Sequence, residues 1–211
     1  MKHLGWLAFL PLLLAAEALR VDVAHFSTGD MAGWQERQFR GTTHYALGDD
    51  QGRRALRADS HAAASGLFRE IEVDLAATPY LHWSWKVDGV LHGNDERSRG
   101  GDDYAARIYV VFSGGLWFWR TRAVNYVWSS HQHIERTWLN AYTGNARMIA
   151  VESGATHAGK WIHERRDVRA DYRRLFGEEP GRIVAVALMT DTDNTGATAG
   201  AWYGDIWFSA E

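Results

Sequence analysis

The 211-residue chain carries 23 Lys and Arg against 26 Asp and Glu, a formal charge of −3, and so has no basic stripe for nucleic acid. The absence of cysteine excludes a disulfide framework, a thiolate nucleophile and a Cys-ligated zinc, leaving stability to the core. Eleven tryptophans, most in short alternating apolar runs, must either fill that core or face a flat ligand.

In chain order, the first segment reads as an address. Lys2 and His3 precede an almost wholly apolar run over residues 4–16, and Ala16-Glu17-Ala18 fits a small-x-small cleavage site. The run is shorter than the roughly 20 residues a spanning helix needs, and Pro11 interrupts it. The expectation is a signal peptide over residues 1–18, a mature chain over 19–211 folded as one domain, and a periplasmic or secreted location. Nothing after residue 18 is apolar enough to span a membrane.

Period-two alternation dominates the rest. In residues 81–88, Leu81, Trp83, Trp85 and Val87 share one face and His82, Ser84, Lys86 and Asp88 the other, which predicts a half-buried antiparallel strand with both tryptophans in the core. Leu67, Ile71, Val73 and Leu75 alternate with Phe68, Glu70, Glu72 and Asp74, while residues 107–112 and 183–189 are β-branched or apolar almost throughout. Gly114-Gly115 reads as a hairpin turn between 107–112 and 116–128, and 148–153 and 202–209 complete the strands. One segment breaks the period: Asp167 can cap a helix in which Val168, Tyr172, Leu175 and Phe176 share a face, with Gly177 as its left-handed end. The pattern predicts an all-β, antiparallel β-sandwich with one short helix and two long polar loops, 89–103 and 190–200.

The order of elements then becomes recognisable. Phe26 to Trp34 with Gly33-Trp34, Ala55-Leu56-Arg57, the 81–88 strand, Gly159-Lys160-Trp161 and Tyr203-Gly204-Asp205-Ile206 resemble jelly-roll carbohydrate-binding modules of the galactose-binding-like fold. Asp102-Asp103-Tyr104-Ala105-Ala106-Arg107, Asn125-Tyr126-Val127-Trp128-Ser129 and the run from Ala187 to Thr195 are similar to the bacterial exported domain-of-unknown-function 3047 family, over essentially the whole mature chain. The resemblance implies a fold and export, and the family brings no established activity. It also implies where a structural calcium would sit, between the first and last strands: Asp205 matches the closing-strand ligand, but His25 stands where an early carboxylate is expected, with only Asp22 and Asp30 nearby.

Several polar groups are candidates for chemistry. Asp191, Asp193 and Asn194 place three side-chain oxygens at the exit of a buried strand, which suits sugar hydroxyls or a hard cation, or else an Asx-rich turn that caps its own backbone. Asp95, Glu96, Asp102 and Asp103, with Arg97 and Arg99, make the 89–103 loop either a solvated connection or a ligand-gripping one. Arg107, entering a central strand on the face of Tyr109 and Val111, needs a carboxylate or a ligand to offset its burial. His131 and His133 could project to one side of an extended strand, but no third ligand follows by spacing and no metal is assigned.

Glu152 shares the alternation of Met148 and Ala150 and is a candidate catalytic carboxylate, with Asp191 or Asp103 as its partner on a glycosidic bond. The expected ligand cleft gathers Arg107, Tyr126, Trp128, Glu152, Asp191, Asp193 and Asn194 on one sheet, with Tyr126 and Trp128 as the platform for a sugar ring; the alternative makes those two rings a second core layer. Three functions compete: a module binding a carbohydrate or polysaccharide, a glycan-cleaving enzyme (hydrolase or lyase), and a structural envelope protein. No nucleophile elbow, phosphate loop or zincin motif is present.

Overall fold

The computed structural model describes residues 19–114 and 121–211. The leader and Gly115 of the expected hairpin turn lie outside the described residues. Two seven-stranded sheets face each other. The first is built from β1 (Arg20–Ala24), β3 (His44–Asp50), β4 (Arg53–His61), β6 (Tyr80–Val87), β11 (Ile162–Asp167), β13 (Thr198–Tyr203) and β14 (Ile206–Ser209). Its order is β1-β14-β6-β13-β4-β3, with β11 paired to the remaining side of β6.

The second sheet has the order β2-β5-β12-β7-β8-β10-β9, from Trp34–Arg40, Ala64–Val73, Ile183–Met189, Ala106–Phe112, Arg122–Ser129, Ala146–Ser153 and Thr137–Leu139 respectively. The expected sandwich is therefore present, with one difference. β10 runs parallel to β8, because β9 turns back along the sheet edge and β10 fills the place between them. That one pair makes the second sheet mixed instead of wholly antiparallel. The segment 202–209, expected as one strand, is two: Gly204 bridges β13 and β14, and its amide donates to the carbonyl of Ser84.

The core lies between the sheets. Trp83 and Trp85 meet edge to face with centroids 5.4 Å apart, and Trp85 packs on Trp128 at 5.9 Å. Both tryptophans of β6 are fully buried, as their alternation with His82 and Ser84 requires. The helix α1 (Val168–Phe176) closes one side of the core. The Asp167 carboxylate accepts from the Ala170 amide at 2.9 Å, Gly177 ends the helix in the left-handed region, and Tyr172 stacks obliquely on Phe112 at 4.5 Å. No helix among the described residues is long and apolar enough to cross a membrane.

Candidate functional site

Alternation along β7 sends Ile108, Val110 and Phe112 into the core and turns Arg107 and Tyr109 to the outer face of the second sheet. On β12, Leu188 points inward and Met189 outward, opposite Arg107 in register. The outer face carries a cavity of about 480 Å³. It is lined by Arg107, Tyr109, Met189 and Phe68, by Arg37, Phe39 and Arg40 of β2, by Ala123 and Ala146, and by Asp102, Asn140, Tyr142, Asp191, Asp193 and Asn194.

The 89–103 loop contributes Asp102 to the lining and is not simply solvated. Glu96, Asp102 and Asp103 are buried, while Asp95, Arg97 and Arg99 remain at the surface. The Glu96 carboxylate accepts from the Ser129 hydroxyl and the Ser130 amide, both at 2.5 Å. Burial raises its pKa, against the opposing effect of those two donors. Gly101 lies against the chain so closely that a β-carbon there would sit 2.5 Å from the Asp95 carbonyl oxygen. Tyr104 anchors the loop in a small apolar cluster with Val127, Trp138, Met148 and Ala150.

Arg107 is 4% exposed. Its Nη2 donates to Asp191 Oδ2 at 2.6 Å, and its guanidinium lies 5.1 Å from the ring centres of both Tyr104 and Tyr109. Burial works against its charge, but Asp191 and its other neighbours hold its pKa above the ordinary arginine value. Nε and Nη1 have no hydrogen-bond partner among the described residues, and neither does Oδ1 of Asp102, a residue that is also 4% exposed. Nη1 lies 3.8 Å from Asp102 Oδ2, beyond hydrogen-bond reach. Such orphaned groups are costly in a folded interior, and these belong to two residues that also line the cavity.

The acids around Arg107 are crowded. Asp103, Asp191 and Asp193 bring carboxylate oxygens within 4.8 Å of one another, the one such group of three among the described residues. Asp103 accepts from the amides of Asn194 at 3.2 Å and Thr195 at 2.6 Å, which ties the 89–103 loop to the 190–200 loop. Burial raises the pKa of Asp191, Asp193 and Asp102, with the neighbouring Asp103 also acting on all three. The rim is tied across: Arg40 donates to the Asp193 carbonyl, Asn194 to the Tyr142 hydroxyl, and that hydroxyl to the Arg99 carbonyl.

The expected cleft divides in two. Arg107, Asp191, Asp193 and Asn194 do line one cavity. Tyr126 and Trp128 do not: both are fully buried in the inter-sheet core, where the Tyr126 hydroxyl donates to Asp171 and Trp128 Nε1 donates to the Gly154 carbonyl. They share a face as alternation requires, but it is the core face, so they cannot be the platform.

Glu152 is misplaced for a different reason. A bulge at Val151 inserts one residue in β10, so Ala150 stands opposite Val127 and Glu152 opposite Trp128. The bulge turns Glu152 inward, where His157 Nδ1 lies 3.2 Å away and the nearby carboxyl is Glu164, not Asp191 or Asp103. Glu164 projects inward from β11 opposite Trp83 and accepts from Trp85 Nε1 at 3.3 Å. Burial, then Glu152, pushes Glu164 up to about 7.

Two other candidates change character. Asp205 spends both carboxylate oxygens on Ser27, one on its amide at 2.8 Å and one on its hydroxyl at 2.5 Å. Asp22 is engaged with Arg20 and lies 3.7 Å from His25, while Asp30 accepts from the Ala32 amide. One committed carboxylate does not supply the six to eight oxygens of calcium, so these residues do not fit that ion. His131 and His133 sit in a bend after β8 and are exposed, not on an extended strand.

The aromatic residues of the cavity, Phe39, Phe68, Tyr109 and Tyr142, were not among those singled out for it. Phe39 is 60% and Tyr142 52% exposed, the rings stand at the mouth, and Phe39 lies 6.3 Å from Phe68. A signal existed for two of them: Phe68 alternates with Glu70 and Glu72, and Tyr109 shares the face of Arg107, so each is an aromatic ring on a polar face.

Residues 32–207 match the family described as a protein of unknown function, DUF3047, and the chain belongs to that family. Among solved structures it is similar to an engineered thermostable cellulase from Rhodothermus marinus, at 10% identity over 90% of this chain and 99% of that one, with a TM-score of 0.50. A variant of a family 29 carbohydrate-binding module is 11% identical, covering 92% and 93% of the two chains at a TM-score of 0.44. The xylan-binding domain of a Paenibacillus barcinonensis xylanase is 13% identical, covering 93% and 99% at 0.41. No curated protein matches. At these identities the likeness is one of β-sandwich fold, and function must be argued from the site.

Proposed function

We propose that the protein binds a neutral glycan in the outer-face cavity, without turning it over. One observation carries this reading: exposed Phe39 and Tyr142 line the same cavity as the buried, charged Arg107 and Asp102, so aromatic faces and polar side chains converge there. Sugars match that chemistry, since each hydroxyl both donates and accepts and a pyranose ring has an apolar face that stacks on aromatic rings. The lining arginines Arg37, Arg40 and Arg107 balance the lining carboxylates Asp102, Asp191 and Asp193, which favours a ligand without net charge.

Cleavage would need a free acid and a free base at the ligand. Asp191 is tied to Arg107, Asp103 accepts from two backbone amides, and Glu152 lies on the other face of the sheet. A purely structural envelope protein would have no use for a cavity lined by exposed aromatic rings, arginines and carboxylates. Export, expected from the apolar leader, belongs to the same proposal and would place the cavity where extracellular glycans are met. A glycan-array screen of the chain from Leu19 onward, with product detection by mass spectrometry, tests the reading. Binding without new products is expected, product formation would replace it with the enzymatic one, and no binding to any glycan would remove it.

A further inference from the structure

The glycan reading leaves open whether the cavity takes the end of a glycan or an internal stretch, and the inference that follows rests on that reading. Six adjacent strands contribute to the lining: Phe39 from β2, Phe68 from β5, Met189 from β12, Tyr109 from β7, Ala123 from β8 and Ala146 from β10. Register sets them obliquely on the sheet. Arg37, Gly66, Met189 and Arg107 stand in one row across β2, β5, β12 and β7, whereas Ala123 pairs with Val111, four residues beyond Arg107, and Ala146 pairs with Ala123. The lining therefore crosses five strand spacings of about 4.8 Å, about 24 Å in all, while it drifts about 13 Å along the strands.

The loops account for the slant. The row of Arg107 continues into Val127 and Ala150, but there Tyr104 and Trp138 cover the face. The loops that close this corner are tied together: Asn140 Nδ2 donates to Asp102 Oδ2 at 3.1 Å, Arg99 Nε to the Ala141 carbonyl at 3.2 Å, and Asn194 Nδ2 to the Tyr142 hydroxyl at 2.9 Å. The opposite corner of the face, at Glu70 and Glu72 of β5, is exposed. What remains is a strip banked on one side only.

A volume of about 480 Å³ drawn out over that length is shallow. A pocket for a glycan end must enclose the terminal ring, whereas a shallow strip touches successive rings on one side and lets the glycan continue past both ends. The exposed aromatic rings fit the second case: Phe39 stands on β2, and Tyr142 precedes β10 at the far side of the strip. One ring of an extended pyranose chain occupies about one strand spacing, so the strip takes about five rings. We propose that the cavity binds internal stretches of a linear neutral polysaccharide, laid obliquely across the strands from β2 to β10.

Calorimetric titration of the protein from Leu19 onward with dimers, tetramers and hexamers of the cello-, xylo-, manno-, laminari- and malto-oligosaccharide series tests this. In any series that binds, the hexamer should bind at least about tenfold more tightly than the dimer, beyond the few-fold that extra registers on a longer glycan supply. Reducing the end of that hexamer to its alditol should leave its affinity unchanged. Phe39→Ala and Tyr142→Ala, at opposite sides of the strip, should each weaken hexamer binding with additive effects, whereas a dimer should respond to at most one of them. A dimer that binds as tightly as its hexamer, or a hexamer that loses its affinity on reduction, would assign a pocket for a glycan end; it would overturn the strip and leave the glycan reading standing. Failure of every series to bind would overturn both.

Discussion

Arg107 and Asp191 form a buried ion pair at 2.6 Å on the outer face of the second sheet, and both residues line the cavity there. Removing one partner strands the other. Asp191→Ala should therefore cost about 3–5 kcal/mol in guanidinium denaturation, while replacing both residues by apolar ones of similar volume should cost much less than the sum of the single changes. Additive effects would mean that the two residues are not coupled in the folded protein.

The division of the aromatic residues between core and cavity mouth separates stability from binding. Trp128→Ala removes a fully buried indole that packs on Trp85 and should destabilise the fold by about 3–5 kcal/mol. Phe39→Ala and Tyr142→Ala act at exposed rings and should shift the melting temperature little, while each weakens glycan affinity by roughly tenfold. Thermal melts and titrations on the three variants check this together; a large loss of stability in Phe39→Ala would place that ring in the fold instead of the site.

Glu164 gives the stability a pH dependence of defined sign. Its carboxyl is pushed up to about 7, above its value in an unfolded chain, so the folded state holds the proton more tightly. The protonated form carries no charge penalty at low pH; stability is lost as pH rises from the ordinary glutamate range to about 7, and then levels off. Allowing for partial solvent screening, the loss should be about 1–3 kcal/mol, and Glu164→Gln should flatten the curve and stabilise the protein above pH 7. Denaturation curves from pH 4.5 to 8 decide the matter, and an unchanged slope in the variant would assign the dependence to another group.

Asp205 holds the turn at Phe26–Thr28 through its two hydrogen bonds to Ser27. Asp205→Ala should cost about 1 kcal/mol, by the same amount in excess calcium and in chelator. A calcium-dependent difference between parent and variant would restore the ion to that position.

How far the sequence reveals this molecule depends on what alternation can encode. Trp83 and Trp85 were legible because their strand has one apolar and one polar face, so period two also says which face is inside. In β8, Val124, Tyr126 and Trp128 alternate with Ala123 and Val127, both faces are largely apolar, and the period says only that Tyr126 and Trp128 are on one side. The core took them. The bulge at Val151 was illegible because a single extra residue leaves no mark on composition, yet it moves Glu152 to the opposite face. The need of Arg107 for a carboxylate was legible from charge burial alone, and Asp191 meets it. Phe39 and Tyr142 were not, since their position depends on how a β2 edge residue and a β9–β10 loop residue meet over the cavity.

The central claim is that a glycan occupies the cavity over Arg107 and Asp102. Titration of the parent and of the Phe39→Ala, Tyr142→Ala double variant with the best glycan from the array tests it most directly. The parent should bind with micromolar to millimolar affinity, and the double variant, melting like the parent, should bind at least about tenfold more weakly. Equal affinity in a folded double variant would contradict the claim and move the binding site elsewhere on the protein.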